Sequence, residues 1–170
     1  MKKTNFLMVV SILLIVTGGC SKDSMNSNAP DEYKLEKGDF MFLKNADTYA
    51  LAKEQRSDNY SAEFEIDKVE RIADTMNITV SYHEGCGTNK FEVIWDGTIM
   101  ESYPEMTIFF VKRTATNCGT QGALKTQVLS LRLTEIIENE ALAKRISITV
   151  SNASKTANAE NSDVAISNKN

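Results

Sequence analysis

The sequence predicts an all-β domain, specifically an immunoglobulin-like β-sandwich of about seven strands. Apolar and polar residues alternate with a period of two through most of residues 39–152. The same stretch holds nearly all the aromatic and β-branched residues that follow the N-terminal segment, as strands do. Only one short segment within it has clear helical spacing, whereas an α/β fold needs repeated helices.

The individual strands are predicted from successive alternating runs. These runs occupy residues 63–66, 76–83, 91–95, 106–111, 129–133 and 146–150. Residues 106–111 are apolar on both faces, which predicts a central strand, and Asp96-Gly97 is a turn signal. Helical spacing within residues 134–145 predicts one short crossing helix. Residues 40–52 are compatible with a hairpin or a helix, and we expect the hairpin.

Length, composition, charge and the number of His and Cys residues exclude several classes of protein. A chain of 170 residues with 42% hydrophobic and 25% charged residues is neither collagen-like, wholly disordered nor a multi-span membrane protein. Its formal charge of −4, without a basic cluster, argues against nucleic-acid binding. With one His and three Cys, the usual four-ligand zinc sets are out of reach once Cys20 is otherwise engaged. We therefore expect no metal and no cofactor.

The N-terminus has the layout of an export signal. Lys2 and Lys3 precede an apolar run over residues 6–16, which is too short to span a bilayer comfortably, and Gly18-Gly19-Cys20 follows. This end of the run resembles a bacterial lipobox, in which the cysteine is acylated and becomes the first mature residue. The alternative is a plain secretory signal. Acyl chains on Cys20, at about 0.8 kcal/mol per buried methylene, would tether the protein to a membrane.

Two polar segments flank the predicted domain. Residues 20–38 and 153–170 lack an apolar period, so we expect a flexible tether and a disordered tail. The predicted organisation is a signal peptide over residues 1–19, the acylated tether, the sandwich over residues 39–152, and the tail. Outer-membrane lipoproteins usually carry a residue other than Asp directly after the acylated cysteine, and here that residue is Ser21. This implies an outer-membrane location on the periplasmic or cell-surface side.

Cys86 and Cys118 are predicted to form a disulfide. Once Cys20 is acylated, these are the two cysteines that remain, and two cysteines can pair with each other. An exported protein also meets an oxidising compartment, where disulfides form. A disulfide that closes a loop of about 33 residues stabilises the folded state by about 3.5–4 kcal/mol, because it lowers the entropy of the unfolded chain. The alternative is a reactive or metal-binding thiol pair with His83, which we instead expect on the solvated face of its strand.

Three carboxylates near a turn are the only candidates for hydrolysis. Asp96, Glu101 and Glu105 could in principle act as a glycosidase pair, but that chemistry needs a cleft that a small sandwich rarely has. We expect a solvated acidic loop and no catalytic residue.

Trp95 and Tyr103 are the possible ligand contacts, since an exposed aromatic ring can stack on a sugar. Trp95 shares strand parity with Phe91 and Val93, which favours burial of its ring instead.

The cysteine and aromatic motifs resemble those of one group of exported proteins. Gly85-Cys86, residues 91–97 ending in Trp-Asp-Gly, Cys118 and the strand at 129–133 resemble small, uncharacterised Bacteroidetes outer-membrane lipoproteins over residues 62–135. Such proteins often carry a His where this chain has Asn89. The resemblance implies the location and the fold, but no activity.

The expected function is therefore a lipid-anchored, non-catalytic binding or structural module of the cell envelope. Its expected partners are the membrane, through Cys20, and a glycan or an envelope protein. The alternative is a carbohydrate-binding accessory lipoprotein, and a hydrolase comes third.

Overall fold

A computed structural model describes residues 32–119 and 122–166. In this part of the chain it shows nine strands, two α-helices and one 3-10 helix, so the fold is mostly β, which is consistent with the predicted all-β sandwich. The elements are β1 (Tyr33–Lys37), β2 (Phe40–Lys44), α1 (Ala46–Gln55), β3 (Glu65–Ile72), β4 (Thr75–His83), β5 (Thr88–Trp95), β6 (Met106–Thr116), β7 (Leu124–Arg132), the 3-10 helix (Leu133–Glu135), α2 (Glu140–Arg145), β8 (Ser147–Asn152) and β9 (Asp163–Ile166).

The strands form two sheets. Sheet A has the order β1-β2-β5-β6-β8-β9, and sheet B has the order β3-β4-β7. Two neighbouring pairs in sheet A, β2–β5 and β6–β8, are parallel, and the others are antiparallel. The immunoglobulin-like arrangement is not confirmed, because that class consists of two antiparallel sheets. Parallel neighbours need long crossover connections. Here the connection from β2 to β5 contains α1, β3 and β4, and the connection from β6 to β8 contains β7, the 3-10 helix and α2.

The main core lies between the two sheets. Alternation puts Phe42, Phe91 and Phe109 on the inner face of sheet A, and it puts Ile78 and Leu129 on the inner face of sheet B. The ring of Phe109 lies 6.2 Å from that of Phe42 in an edge-to-face arrangement. Burying such rings is the largest hydrophobic contribution that single side chains make.

A second, smaller core covers the other face of sheet A. Ile94 and Phe110 are buried under Ala52 of α1, and the ring of Tyr49 lies 5.1 Å from that of Phe110. This explains why β6 is apolar on both faces, and its predicted central position is confirmed. The hairpin predicted for residues 40–52 is wrong.

The helix replaces that hairpin because Asn45 ends the preceding strand. Its Oδ1 accepts a hydrogen bond of 2.8 Å from the backbone N–H of Thr48, which satisfies a free donor of the first helical turn. Tyr49 and Ala52 then lie three residues apart on one helical face. The sequence signal was a capping residue followed by helical spacing.

The short helix predicted over residues 134–145 is confirmed in part. The structure has a 3-10 turn and then α2, which Asn139 caps by accepting from the backbone N–H of Leu142 at 3.0 Å. Arg71 of β3 donates to the carbonyls of Ala143 and Ile146 at the other end of α2. No helix in residues 32–119 and 122–166 is long and apolar enough to cross a bilayer.

The predicted tether is too long, because its last residues form a strand. β1 pairs with β2 over five residues, so the sheet begins at Tyr33 and not after residue 38. The signal peptide and the earlier part of the tether lie outside the described residues.

The predicted disordered tail is wrong for residues 153–166. Ala153, Ser154 and Ser162 are buried, and β9 pairs with β8. The guanidinium of Arg56 donates to the carbonyls of Lys155, Asn152 and Ser162 at 2.8–3.2 Å. Polar composition misled the prediction, because hydrogen bonds to a sheet edge and to one arginine order this segment without a large apolar face. Residues 167–170 lie outside the described part.

Candidate binding groove

The sandwich is closed on one side and open on the other. On the closed side, β3 of sheet B packs against β8 and β9 of sheet A. On the open side, a groove of about 940 Å³ separates β7 from the β1–β2 hairpin and β5. This volume is within the usual range for ligand sites, about 300–1,000 Å³.

Strand register determines which side chains face this groove. Phe40 of β2 lies opposite Phe91 of β5, so both rings are on the inner face at the base of the groove. Tyr82 of β4 lies opposite Lys125 of β7, so the ammonium group is on the same face as the phenol. The hydroxyl of Tyr82 donates to Oε1 of Gln127 at 3.3 Å.

The rim carries charges of both signs. Asp39 contributes a carboxylate and Lys125 contributes an ammonium group. Lys125 Nζ lies 3.4 Å from a carboxylate oxygen of Glu84, and this hydrogen bond raises the pKa of Lys125 above its ordinary value. Lys125 is therefore a cation at any physiological pH.

A buried arginine fixes the base of the groove. Arg113 is 4% exposed, and its guanidinium lies 4.3 Å from the ring centre of Tyr82. It donates to Oδ1 of Asn89, to the carbonyl of Glu63 at 2.6 Å and to the carbonyl of His83 at 3.2 Å. Burial lowers the pKa of Arg113 from its ordinary value. The planar fork of donors therefore connects four segments of chain beside the groove.

Sequence reasoning missed Arg113, although a signal was present. Phe109, Val111 and Arg113 have the same parity on β6, so a charged residue stands at the next inward position of an apolar alternation. Asn89 of β5 is the side-chain acceptor for this arginine.

The predicted disulfide between Cys86 and Cys118 is confirmed. The sulfurs are 2.09 Å apart, and the bridge connects the β4–β5 loop to the β6–β7 loop. Backbone hydrogen bonds from Gly119 to Gly85 and from Gly122 to Glu84 join the same two loops. The free-thiol alternative is therefore excluded in this structure.

His83 lies at the exposed end of β4, as predicted. Its Nδ1 is 3.1 Å from the carbonyl oxygen of Gly122, a contact that orients the ring beside the disulfide loops. No group of three or more metal-ligating side chains occurs in residues 32–119 and 122–166.

Two of the three candidate carboxylates hold the loop between β5 and β6. Asp96 accepts from the backbone N–H of Thr98 at 2.8 Å. Glu105 accepts from Arg145 at 2.6 Å, and this hydrogen bond lowers the pKa of Glu105 below its ordinary value. Glu101 is exposed.

The two candidate aromatic contacts have opposite environments. Trp95 is 3% exposed, and its indole N–H donates to Oγ1 of Thr107 at 2.7 Å. The expected burial of Trp95 is confirmed, and its role as a ligand contact is wrong because its ring faces the core. Tyr103 is fully exposed in the same loop.

The fold and the groove define a two-sheet β-protein with an open side. No protein-family model matches the chain, and no curated protein matches it. One solved structure that it resembles is a protein of unknown function, DUF1344, from Bacteroides vulgatus ATCC 8482. The TM-score is 0.43 at 15% sequence identity, over 65% of this chain and 51% of that one. The chain thus spans about half the length of that protein.

Proposed function

We propose that the chain is a lipid-anchored, non-catalytic binding module of the outer membrane, and that the groove is its binding surface. The observation that carries this proposal is the groove itself, which opens between β7 and the β1–β2 hairpin. An apolar base with polar groups on the rim is the usual composition of a binding site.

The groove is supported by groups that keep its shape. Arg113 donates a hydrogen bond to Asn89, and its guanidinium lies over the ring of Tyr82. Both Asn89 and Tyr82 line the groove. The Cys86–Cys118 bridge joins the two loops that lead into β5 and β7. A preformed surface loses less conformational entropy when it binds a ligand.

The anchoring part of the proposal is based on the sequence. Cys20 follows the apolar run at the position of the acylated cysteine in a lipobox. Because the sheet begins at Tyr33, only residues 21–32 separate it from Cys20. A fully extended chain of that length spans at most about 40 Å. Acylation of Cys20 would therefore hold the groove close to the membrane surface.

A charge reversal in the groove tests the binding function. Lys125→Glu changes the rim, and Lys53→Glu on the exposed face of α1 is the matched control. The probes are purified peptidoglycan, purified lipopolysaccharide and an array of defined glycans. We expect retention on at least one probe, reduced at least tenfold by Lys125→Glu and unchanged by Lys53→Glu. Retention that both variants reduce equally, or no retention on any probe, would contradict the proposal.

One observation favours the carbohydrate-binding accessory lipoprotein as a second candidate. Tyr103 is fully exposed, and a solvated aromatic ring can stack on a sugar face. In this case Tyr103→Ala should abolish retention on the glycan array, while Lys125→Glu leaves it intact. Tyr33→Ala is the matched control, since Tyr33 is also exposed but lies on β1.

A further inference from the structure

Three of the four sheet edges in the described residues have features that discourage further strand pairing. β1 has five residues, three of them charged, and β9 has only four residues. β3 has a register shift between Ile66 and Lys68, and it packs against β9. Short length, charge, bulges and covering elements are the usual means by which proteins protect an edge.

β7, the fourth edge, is nine residues long, has no bulge, and carries its two charged residues, Lys125 and Arg132, only towards its ends. All nine of its residues pair with β4 in one uninterrupted register, and residues 126–131 contain no charge, proline or glycine. Within the described chain no strand pairs with its other side. Leu124 is 64% exposed and Val128 is 52% exposed, and both lie on the outward face of this strand. β7 therefore offers unpaired backbone groups beside exposed apolar side chains.

We propose that β7 pairs in antiparallel orientation with β7 of a second copy of this chain. A two-fold axis at Val128 gives full overlap of the nine residues and joins the two copies of sheet B into one six-stranded sheet. In this register Val128 lies opposite Val128 of the second copy, and Leu124 lies opposite the aliphatic part of Arg132. Pairing thus covers both exposed apolar side chains of the strand.

The charges on β7 are compatible with this pairing. Lys125 lies 3.4 Å from Glu84, and Arg132 lies 3.8 Å from Glu135, so each cation already has an acidic partner in its own chain. In the proposed register Lys125 lies opposite Leu131, and no two like charges are directly opposed. Opposed like charges would be the main electrostatic cost of strand pairing.

Cysteine cross-linking of the full-length chain in its own membranes tests the proposal. The natural chain, with Cys20, Cys86 and Cys118, is the baseline. Val128→Cys places two thiols at the two-fold axis, about 4.5–5.5 Å apart at Cβ, and should give a covalent dimer under mild oxidation. Thr79→Cys is the matched control, because Thr79 is the partner of Val128 on β4. Two Thr79 positions would be about 14 Å apart across three strand spacings, too far for a disulfide.

A second pair of variants tests the register. Chains with Leu124→Cys and chains with Arg132→Cys should cross-link when they are produced together, and neither should cross-link alone. The same position in two copies would be about 27 Å apart at either strand end. Val128→Lys should leave the otherwise natural protein monomeric in detergent, because it opposes two cations at the axis.

Several results would overturn the proposal. One is a natural chain that is monomeric in detergent together with a Val128→Cys variant that forms no covalent dimer. Another is a Thr79→Cys variant that cross-links as well as Val128→Cys. A third is a Val128→Cys variant that cross-links only to a different protein. A Val128→Cys dimer without the Leu124–Arg132 cross-link would contradict the antiparallel register.

Discussion

At the residue scale, the most informative side chain is Arg113. Its guanidinium is buried, and its acceptors are the amide oxygen of Asn89 and the carbonyls of Glu63 and His83. These three neutral acceptors satisfy a charge that would otherwise be costly to bury. The same bonds hold Tyr82 and Asn89 at the base of the groove.

Replacing this arginine should therefore destabilise the protein. Arg113→Met removes the donors and leaves buried acceptors unsatisfied, which should lower the free energy of unfolding by about 2–4 kcal/mol. Arg113→Lys should not restore stability, because an ammonium group cannot reproduce the planar fork. Urea denaturation measures both effects. A lysine variant with natural stability would contradict the role given to the guanidinium.

Trp95 and Glu101 form a contrasting pair in the same part of the chain. Trp95→Ala should cost about 3–5 kcal/mol, because it removes a buried ring and leaves a cavity. Glu101→Gln should change stability by no more than about 0.5 kcal/mol, since Glu101 is exposed. Thermal unfolding of the two variants measures the difference. An unchanged melting temperature for Trp95→Ala would contradict the burial of this ring.

At the element scale, sequence patterns predicted those elements that alternation defines. Apolar residues face inward at alternate positions along β4, over residues 91–95 of β5 and over residues 109–111 of β6, and the apolar residues on both faces of β6 correctly predicted its central position. Trp95 was assigned to the core by the same parity. In these strands the local pattern and the tertiary burial agree.

The missed elements depend on contacts between distant parts of the chain. β1 and β9 are short edge strands, and they are ordered by pairing with their neighbours. Arg56 holds the segment before β9 from about 100 positions earlier in the sequence. The groove also results from how the two sheets pack, which alternation within single strands does not determine.

The C-terminal segment should depend on Arg56. Arg56→Ala removes hydrogen bonds to Lys155, Asn152 and Ser162, so amide hydrogen exchange in β9 should accelerate while exchange in β4 is unchanged. Lys53→Ala, one turn earlier on α1, is the control. Equal protection of β9 in Arg56→Ala and in the natural chain would contradict this role.

The disulfide should stabilise the loops that lead into the groove. Replacing Cys86 and Cys118 together by Ser should lower the free energy of unfolding by up to about 3.5–4 kcal/mol, because the unfolded chain regains loop entropy. Denaturation of the double variant, compared with the oxidised natural protein, measures this. Alkylation of both cysteines in protein purified without reductant would contradict the bridge.

At the scale of the whole molecule, both proposed surfaces are on the open side of the sandwich. The groove and the free edge of β7 both lie there, whereas β3, β8 and β9 close the opposite side. The proposed ligand surface and the proposed surface for a second copy can thus share one strand, since Lys125 and Gln127 of β7 line the groove and the outer backbone edge of β7 is unpaired in the described chain. The short link between Cys20 and β1 would keep this open side near the membrane.

The anchor at Cys20 is the central claim of this account, and mass spectrometry of the mature N-terminus tests it most directly. We predict that the mature chain begins at Cys20, carries acyl chains and incorporates a labelled palmitate analogue. Cys20→Ala should abolish the labelling, whereas Ser27→Ala, a matched change in the tether, should retain it. An unmodified Cys20 in the mature chain, or palmitate labelling that persists in Cys20→Ala, would contradict the account.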